Sequence, residues 1–351
     1  MNLPQIKIGD KVTKFPIIQG GMGIGVSLSN LASAVANYGG IGVISGVQIG
    51  FREEDFQRNS SQANERALAK EIRKARELSP EGILGVNLMV AIQNYKELVA
   101  VCVKEKIDLI ISGAGLPSEL PQFVKGSQTK LAPIVSSGKA AAVITKLWKK
   151  RYDYLPDLVV VEGPEAGGHL GFSLEQLKGD VPSLKDIVKD VMNALKPFEE
   201  ESGRKIPVIA AGGIFDSNDV KEFLQLGCNG VQIGTRFAAT HECDASLEFK
   251  QAYVDAKEED IQIVLSPVGM PGQAIMNPFM KKVKLERQKV TKCYNCLQPC
   301  NPANTPYCIS NALINSVQGN VNEGLIFIGK NGHRINKIVS VKRLIDELFQ
   351  V

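Results

Sequence analysis

Apolar residues fall in short unbroken runs rich in valine and isoleucine, and between the runs they recur at three- and four-residue spacing. The runs occupy residues 15–19, 41–45, 83–88, 108–112, 131–135, 158–162, 207–211 and 230–234. Unbroken rather than alternating apolarity predicts parallel strands, packed inside against one another and covered outside by helices. The intervening stretches predict helices at 29–38, 62–78, 95–105, 118–125, 138–151, 183–200 and 217–226. Several open on a serine able to cap the orphan amides of a first turn, as at Ser29, Ser183 and Ser217, and Gly39-Gly40 ends the first where a left-handed residue is cheap. Eight such alternations within about 240 residues predict an α/β fold, a closed TIM (β/α)8 barrel, with an open doubly wound sheet as the rival.

After Thr235 the rhythm changes. Residues 242–259 read as a charged helix closing the barrel, 266–277 as a long loop rich in glycine, proline and methionine, and 325–328 as a short apolar run. A last amphipathic helix at 341–349 offers Leu344, Ile345 and Leu348 to the barrel. The expected division is a cofactor-binding barrel over 1–260 and, over 261–351, a C-terminal extension that carries a substrate loop and a cysteine cluster and packs on the barrel.

A barrel of this kind keeps its chemistry at the C-terminal ends of its strands. The seventh and eighth strand ends carry Gly212-Gly213 and Gly234-Thr235, neighbouring loops whose amides can cradle a phosphate without side-chain bulk. The first strand end carries Gly20-Gly21-Met22-Gly23. No acidic residue follows it at the distance of a dinucleotide fingerprint, so a Rossmann unit is poorly supported, and the open backbone suits a flat ring that Met22 touches through its thioether. Gln19, Asn87 and Gln232 recur at three strand ends and suit the polar edge of an isoalloxazine. Ser112-Gly113-Ala114-Gly115 and Ser136-Ser137-Gly138-Lys139 extend this rim, with Lys139 facing a phosphate or the pyrimidine side of the ring.

The sixth strand end is the most informative. It reads E-G-P-E-A-G-G-H from Glu162 to His169, a Gly167-Gly168 pair followed by one of only three histidines. An imidazole poised near neutrality at such a mouth is the proton-transfer candidate, and Glu162 and Glu165 either orient the loop or contact a ribityl chain. His241 and His333 read as structural or solvated.

Composition narrows the remaining classes. Forty-four per cent hydrophobic and 22% charged residues fit a soluble globular protein, and a net charge of +4 with both signs interspersed argues against a nucleic-acid partner. No apolar run is long enough for a membrane span or an export signal. Seven cysteines, an odd number, fit a reducing cytoplasm. Four of them form Cys293-x2-Cys296-x3-Cys300-x7-Cys308, a spacing able to hold zinc or an iron–sulfur cluster, or simply free thiols. Lys281, Lys282, Lys284 and Arg287 read as a solvated basic face or as a landing site for an acidic carrier protein or a cofactor phosphate.

Taken together, Gln19 to Gly23, Gly85-Val86-Asn87, Ser112 to Gly115, Glu162 to His169, Ala211 to Ile214 and Gln232 to Phe237 resemble the nitronate monooxygenase family, also called 2-nitropropane dioxygenase-like. That family includes the FMN-dependent enoyl-acyl-carrier-protein reductases of type II. The resemblance runs through the whole barrel in order. It implies an FMN-dependent oxidoreductase with the flavin phosphate near Gly213 and Gly234-Thr235, and His169 beside the flavin in a catalytic role. Some members oxidise alkyl nitronates with oxygen; others reduce flavin with NADH or NADPH and deliver electrons to an enoyl thioester. The partners implied are a nitronate or an enoyl thioester, acyl carrier protein as the bearer of the latter, and a second copy of the chain in a homodimer. The family more often has arginine at the place of Gln273, a departure that bears on substrate or pyridine nucleotide binding. The rival readings are a flavin-free phosphate-binding barrel acting as isomerase, aldolase or synthase, and an assembly protein.

Overall fold

The computed structural model describes residues 3–351, so Met1 and Asn2 of the expected barrel segment lie outside the described residues. A small hairpin, β1 (Lys7–Ile8) and β2 (Lys11–Val12), precedes six strands: β3 (Ile17–Gln19), β4 (Ile41–Ser45), β5 (Ile83–Met89), β6 (Leu109–Gly113), β7 (Lys130–Val135) and β8 (Val159–Glu162). After the two-residue strand β9 (Gly168–His169) come β10 (Val208–Ala211) and β11 (Gly230–Ile233). Strands β3 to β8, β10 and β11 pair in parallel and close into an eight-stranded barrel, β8 meeting β10 and β11 meeting β3. All eight coincide with the apolar runs. Ile18, Val43, Leu109, Ile111, Val160 and Ile209 fill the interior, and Ile6 and Ile8 from the hairpin plug its N-terminal end.

Helices Ser29–Asn37, Ser60–Leu78, Tyr95–Lys104, Leu120–Phe123, Gly138–Tyr152, Leu184–Ser202 and Ser217–Leu226 cover the barrel, the fourth being a single turn. Trp148 on the fifth is fully buried and donates its indole N–H to the Pro117 carbonyl at 2.9 Å. Trp148→Phe removes that donor, leaves the Pro117 carbonyl with the Leu120 amide at 3.2 Å as its remaining partner, and opens a gap in the packing. It is expected to lower stability by about 2 kcal/mol, visible as an earlier urea midpoint with an unchanged slope.

The eighth outer position differs from expectation. The segment read as the closing helix forms Leu247–Asp255, which packs beneath the extension, with the Tyr253 hydroxyl donating to the Phe327 carbonyl at 2.5 Å. The last helix of the chain, Val341–Phe349, instead fills the place between Ser217–Leu226 and Ser29–Asn37. Leu344, Ile345 and Leu348 are buried there, Arg236 binds Glu347 at 2.8 Å, and the Tyr38 hydroxyl meets Asp346. None of the described helices is long and apolar enough to cross a membrane.

The stretch 266–277, expected as a loop, is not one. It contains β13 (Pro271–Ile275), which lies antiparallel between β12 (Ile261–Leu265) and β9. Glycine and proline obscure the strand in the sequence; in the fold all five residues of β13 are buried between its two partners. The cysteine-bearing segment then straps onto the loop after β5: the Gln93 amide donates to the Cys296 carbonyl at 3.2 Å and the Gln298 amide to the Ala91 carbonyl at 2.9 Å.

Candidate active site

A cavity of roughly 430 Å³ opens at the C-terminal mouth of the barrel. Gly20, Gly21, Met22 and Gly23 line it from the first loop, Asn87 from β5, Glu162 from β8, and Gly167, Gly168 and His169 from the sixth loop. Gly212 and Gly213 follow from the seventh, and Gln232, Gly234 and Thr235 from the eighth. Residues far apart in the chain thus meet because parallel strands in a barrel all deliver their C-terminal ends to one face.

Lys139 is the exception among the residues expected to bind a cofactor. It does not line the cavity: Ser137 caps the helix by accepting from the Ala140 amide at 3.2 Å, Gly138 donates to Asp190 at 2.7 Å, and this first turn leaves Lys139 exposed. Gln19 is also spent elsewhere. Its side chain bridges the Gly20 carbonyl and the Val43 amide, a tie between β3 and β4 rather than a ligand contact.

The glycine loops after β10 and β11 form a cradle. Gly212 and Gly213 both have positive φ, +91° and +88°, and a Cβ on Gly213 would lie 2.6 Å from Glu165 Oε2. The amides of Gly213 and Thr235 donate to no acceptor among the described residues. The Thr235 hydroxyl accepts from the Gly329 amide at 2.9 Å and keeps its own proton for another acceptor. On β11 itself, Gln232 Oε1 is buried with no partner among the described residues, and Asn87 on β5 offers its amide oxygen beside Gly21. Unspent backbone amides, an orphaned amide oxygen and a bare glycine floor lining one cavity fit a phosphate tail joined to a flat heteroaromatic ring.

His169 Nε2 lies 2.7 Å from Ser266 Oγ, and its ring meets Phe327 edge-on at 4.9 Å. Desolvation holds its pKa down at about 4, so the imidazole is neutral at physiological pH. Glu162 accepts no hydrogen bond from the described residues, and desolvation pushes its carboxyl up to about 7. Both side chains are half-exposed, but to the cavity. Glu165 is anchored away from them by Lys330 at 3.0 Å. Gln273 is buried and donates to the Glu165 carbonyl at 3.3 Å, so this residue pins the sixth loop.

A carboxyl whose folded pKa exceeds its ordinary 4.5 binds more protons in the native state, so its contribution to stability falls as pH rises from about 4.5 to about 7. The flavin-free protein is therefore expected to lose stability between pH 5 and pH 8 relative to Glu162→Gln. Equal urea midpoints for the two proteins at both pH values would remove the buried-acid account.

The expected zinc or iron–sulfur centre is not assembled. Cys293, Cys296, Cys300 and Cys308 are free thiols, and no group of three or more metal-ligating side chains occurs among the described residues. Burial pushes the Cys296 thiol up to about 11, and exposed Cys293 accepts from the Asn295 amide at 3.3 Å.

Two contributors had no signal within their own segments. Ser266 and Phe327 reach His169 from 97 and 158 residues further along the chain, through the sheet that β13 makes with β9.

The chain is similar to known proteins over nearly its whole length. The chain is 27% identical over 371 residues to a probable nitronate monooxygenase of Bacillus subtilis, covering 95% of each. Among solved structures, FabK from Thermotoga maritima is 26% identical, with a TM-score of 0.73 over 96% of this chain and 92% of that one. A nitroalkane oxidase from Streptomyces ansochromogenes shares the fold at 21% identity, with a TM-score of 0.73 over 96% and 95%. The family model for nitronate monooxygenase matches residues 5–350, and the chain belongs to that family of oxidoreductases, whose members typically depend on FMN.

Proposed function

We propose that the protein oxidises alkyl nitronates with molecular oxygen, using FMN held in the barrel mouth. The observation that carries this reading is the pairing, in one cavity, of the glycine cradle on the last two barrel loops with a neutral, desolvated His169. When bound, FMN supplies the electron-accepting chemistry and its reoxidation by oxygen. The amides of Gly213 and Thr235 and the Thr235 hydroxyl hold the phosphate, while Asn87 and Gln232 meet the polar edge of the ring. His169 orients the nitronate head, and the extension, through Phe327, Leu325 and Met270, shields the reacting end from water.

A second reading has its own observation. Ile24, Val26, Leu116, Phe249, Leu313 and Leu325 give the cavity an apolar wall suited to an acyl chain. On that reading NADH or NADPH supplies electrons, the substrate is an enoyl thioester, and acyl carrier protein bears it.

Anaerobic mixing of the FMN-loaded protein with propyl-2-nitronate, NADH and NADPH in turn separates the two. Bleaching of the flavin by nitronate alone is the expected result. Bleaching only by NADH or NADPH, with reoxidation by crotonyl thioester, overturns it in favour of the reductase. A protein that takes up no FMN overturns both readings and leaves a flavin-free phosphate-binding barrel or an assembly protein.

A further inference from the structure

We propose that Ser266, on the C-terminal extension, is a positioning residue that holds His169 as the Nδ1–H tautomer, so that the imidazole presents the substrate with a hydrogen-bond donor rather than a base. The functional half of this inference rests on the catalytic placement of His169 proposed above; the tautomer itself does not.

The extension grips His169 twice. Strand β13 sets Gly272 opposite His169 and Gln273 opposite Gly168, and the Leu170 amide donates to the Pro271 carbonyl at 2.9 Å. This fixes the backbone. The side chain is then met by Ser266, which directly follows β12 and puts its Oγ 2.7 Å from Nε2.

Hydrogen-bond bookkeeping around Oγ selects the tautomer. The Val268 amide already donates to Ser266 Oγ at 3.3 Å. Ser266 is buried, and among the described residues the only acceptor within reach of its hydroxyl hydrogen is Nε2. A buried hydroxyl left without an acceptor costs about 1–3 kcal/mol, so the hydroxyl donates and Nε2 accepts. In a neutral imidazole one nitrogen accepts and the other carries the proton, which places the hydrogen on Nδ1. The Phe327 ring, edge-on at 4.9 Å, restrains the imidazole plane. Nδ1 has no partner among the described residues, and His169 lines the cavity.

A nitronate carries its negative charge on two oxygens, and a thioester carbonyl gathers charge as its β-carbon is reduced. Either is served by a neutral N–H aimed from a desolvated wall, which needs no proton to change hands. The acids on the same cavity are Glu162, without a partner among the described residues, and Glu165, paired with Lys330; no lysine or arginine among the described residues lines this cavity.

Long-range ¹H–¹⁵N spectra of ¹⁵N-histidine-labelled protein at pH 7 read the tautomer directly. The His169 signal is assigned by its loss in His169→Asn. The wild type is expected to show the Nδ1–H pattern with and without FMN, and Ser266→Ala is expected to lose it. Nitronate turnover in Ser266→Ala falls about tenfold, the equivalent of one hydrogen bond, with the FMN dissociation constant unchanged. Ser266→Thr keeps a hydroxyl and restores both. An Nε2–H pattern in the wild type, or an unchanged pattern in Ser266→Ala, overturns the proposal. Failure to oxidise nitronates, with the Nδ1–H pattern intact, overturns the proposed function instead.

Discussion

His169→Ala leaves FMN bound and lowers nitronate turnover about 100-fold, the usual consequence of removing one donor from a desolvated, preorganised site. The two effects separate because the cradle of Gly213 and Thr235 lies on the seventh and eighth loops, whereas His169 stands on the sixth. In Glu162→Gln, which removes the cavity carboxyl that titrates at about 7, the rate is expected to show no inflection at the ordinary histidine pKa of 6.5 and to fall as the His169 ring protonates near pH 4. Steady-state rates across that range, with flavin content measured on the same samples, check both statements. Unchanged turnover in the alanine variant would take His169 out of the reaction.

Gly213→Val weakens FMN binding about 100-fold or more. At φ +88° a β-branched residue is strained by about 1–3 kcal/mol, and its Cβ would meet Glu165 Oε2 at 2.6 Å. The Glu165 carboxylate can swing aside, but relief of the φ strain turns the loop and takes the Gly213 amide off the phosphate, a charge-assisted bond worth about 1.5–3 kcal/mol. The two costs together run from about 2.5 to 6 kcal/mol, a range that takes in the ~2.7 kcal/mol of a 100-fold change in affinity. Titration of flavin fluorescence into the flavin-free protein measures it, and riboflavin, which lacks the phosphate, serves as the comparison: its weaker binding should be almost indifferent to the substitution. Equal losses for FMN and riboflavin would move the phosphate away from this loop.

The barrel was legible because each strand is buried on both faces and so appears as an uninterrupted apolar run; Ile41–Ser45 has the same limits in sequence and structure. Glycine loops and His169 were legible for a related reason, since barrel topology alone carries strand ends to one mouth. What failed to show was whatever depends on partners remote in sequence. Strand β13 reads P-G-Q-A-I and gains its extended form from β12 and β9, not from its own propensities. Lys139 looked like a ligand because its loop is at the right level, but the helix cap after β7 turns it outward. Gln19 carries the right chemistry for a ring edge and spends it on the neighbouring strand. The cysteine spacing suggests a metal, yet spacing says nothing about whether four sulfurs converge.

The closing helix has a consequence for how the chain reaches its native state. Helix Ser29–Asn37 is made before most of the chain, yet the surface that covers one of its flanks arrives only with Val341–Phe349, where the Phe15 and Phe349 rings meet at a tilt, 5.1 Å between centroids. Such a contact joins segments far apart in sequence and closes a very long loop, so it forms late and slowly. Until Val341–Phe349 emerges and docks, the nascent barrel carries an apolar seam along its first helix, and that seam is where aggregation and chaperone capture during translation should concentrate.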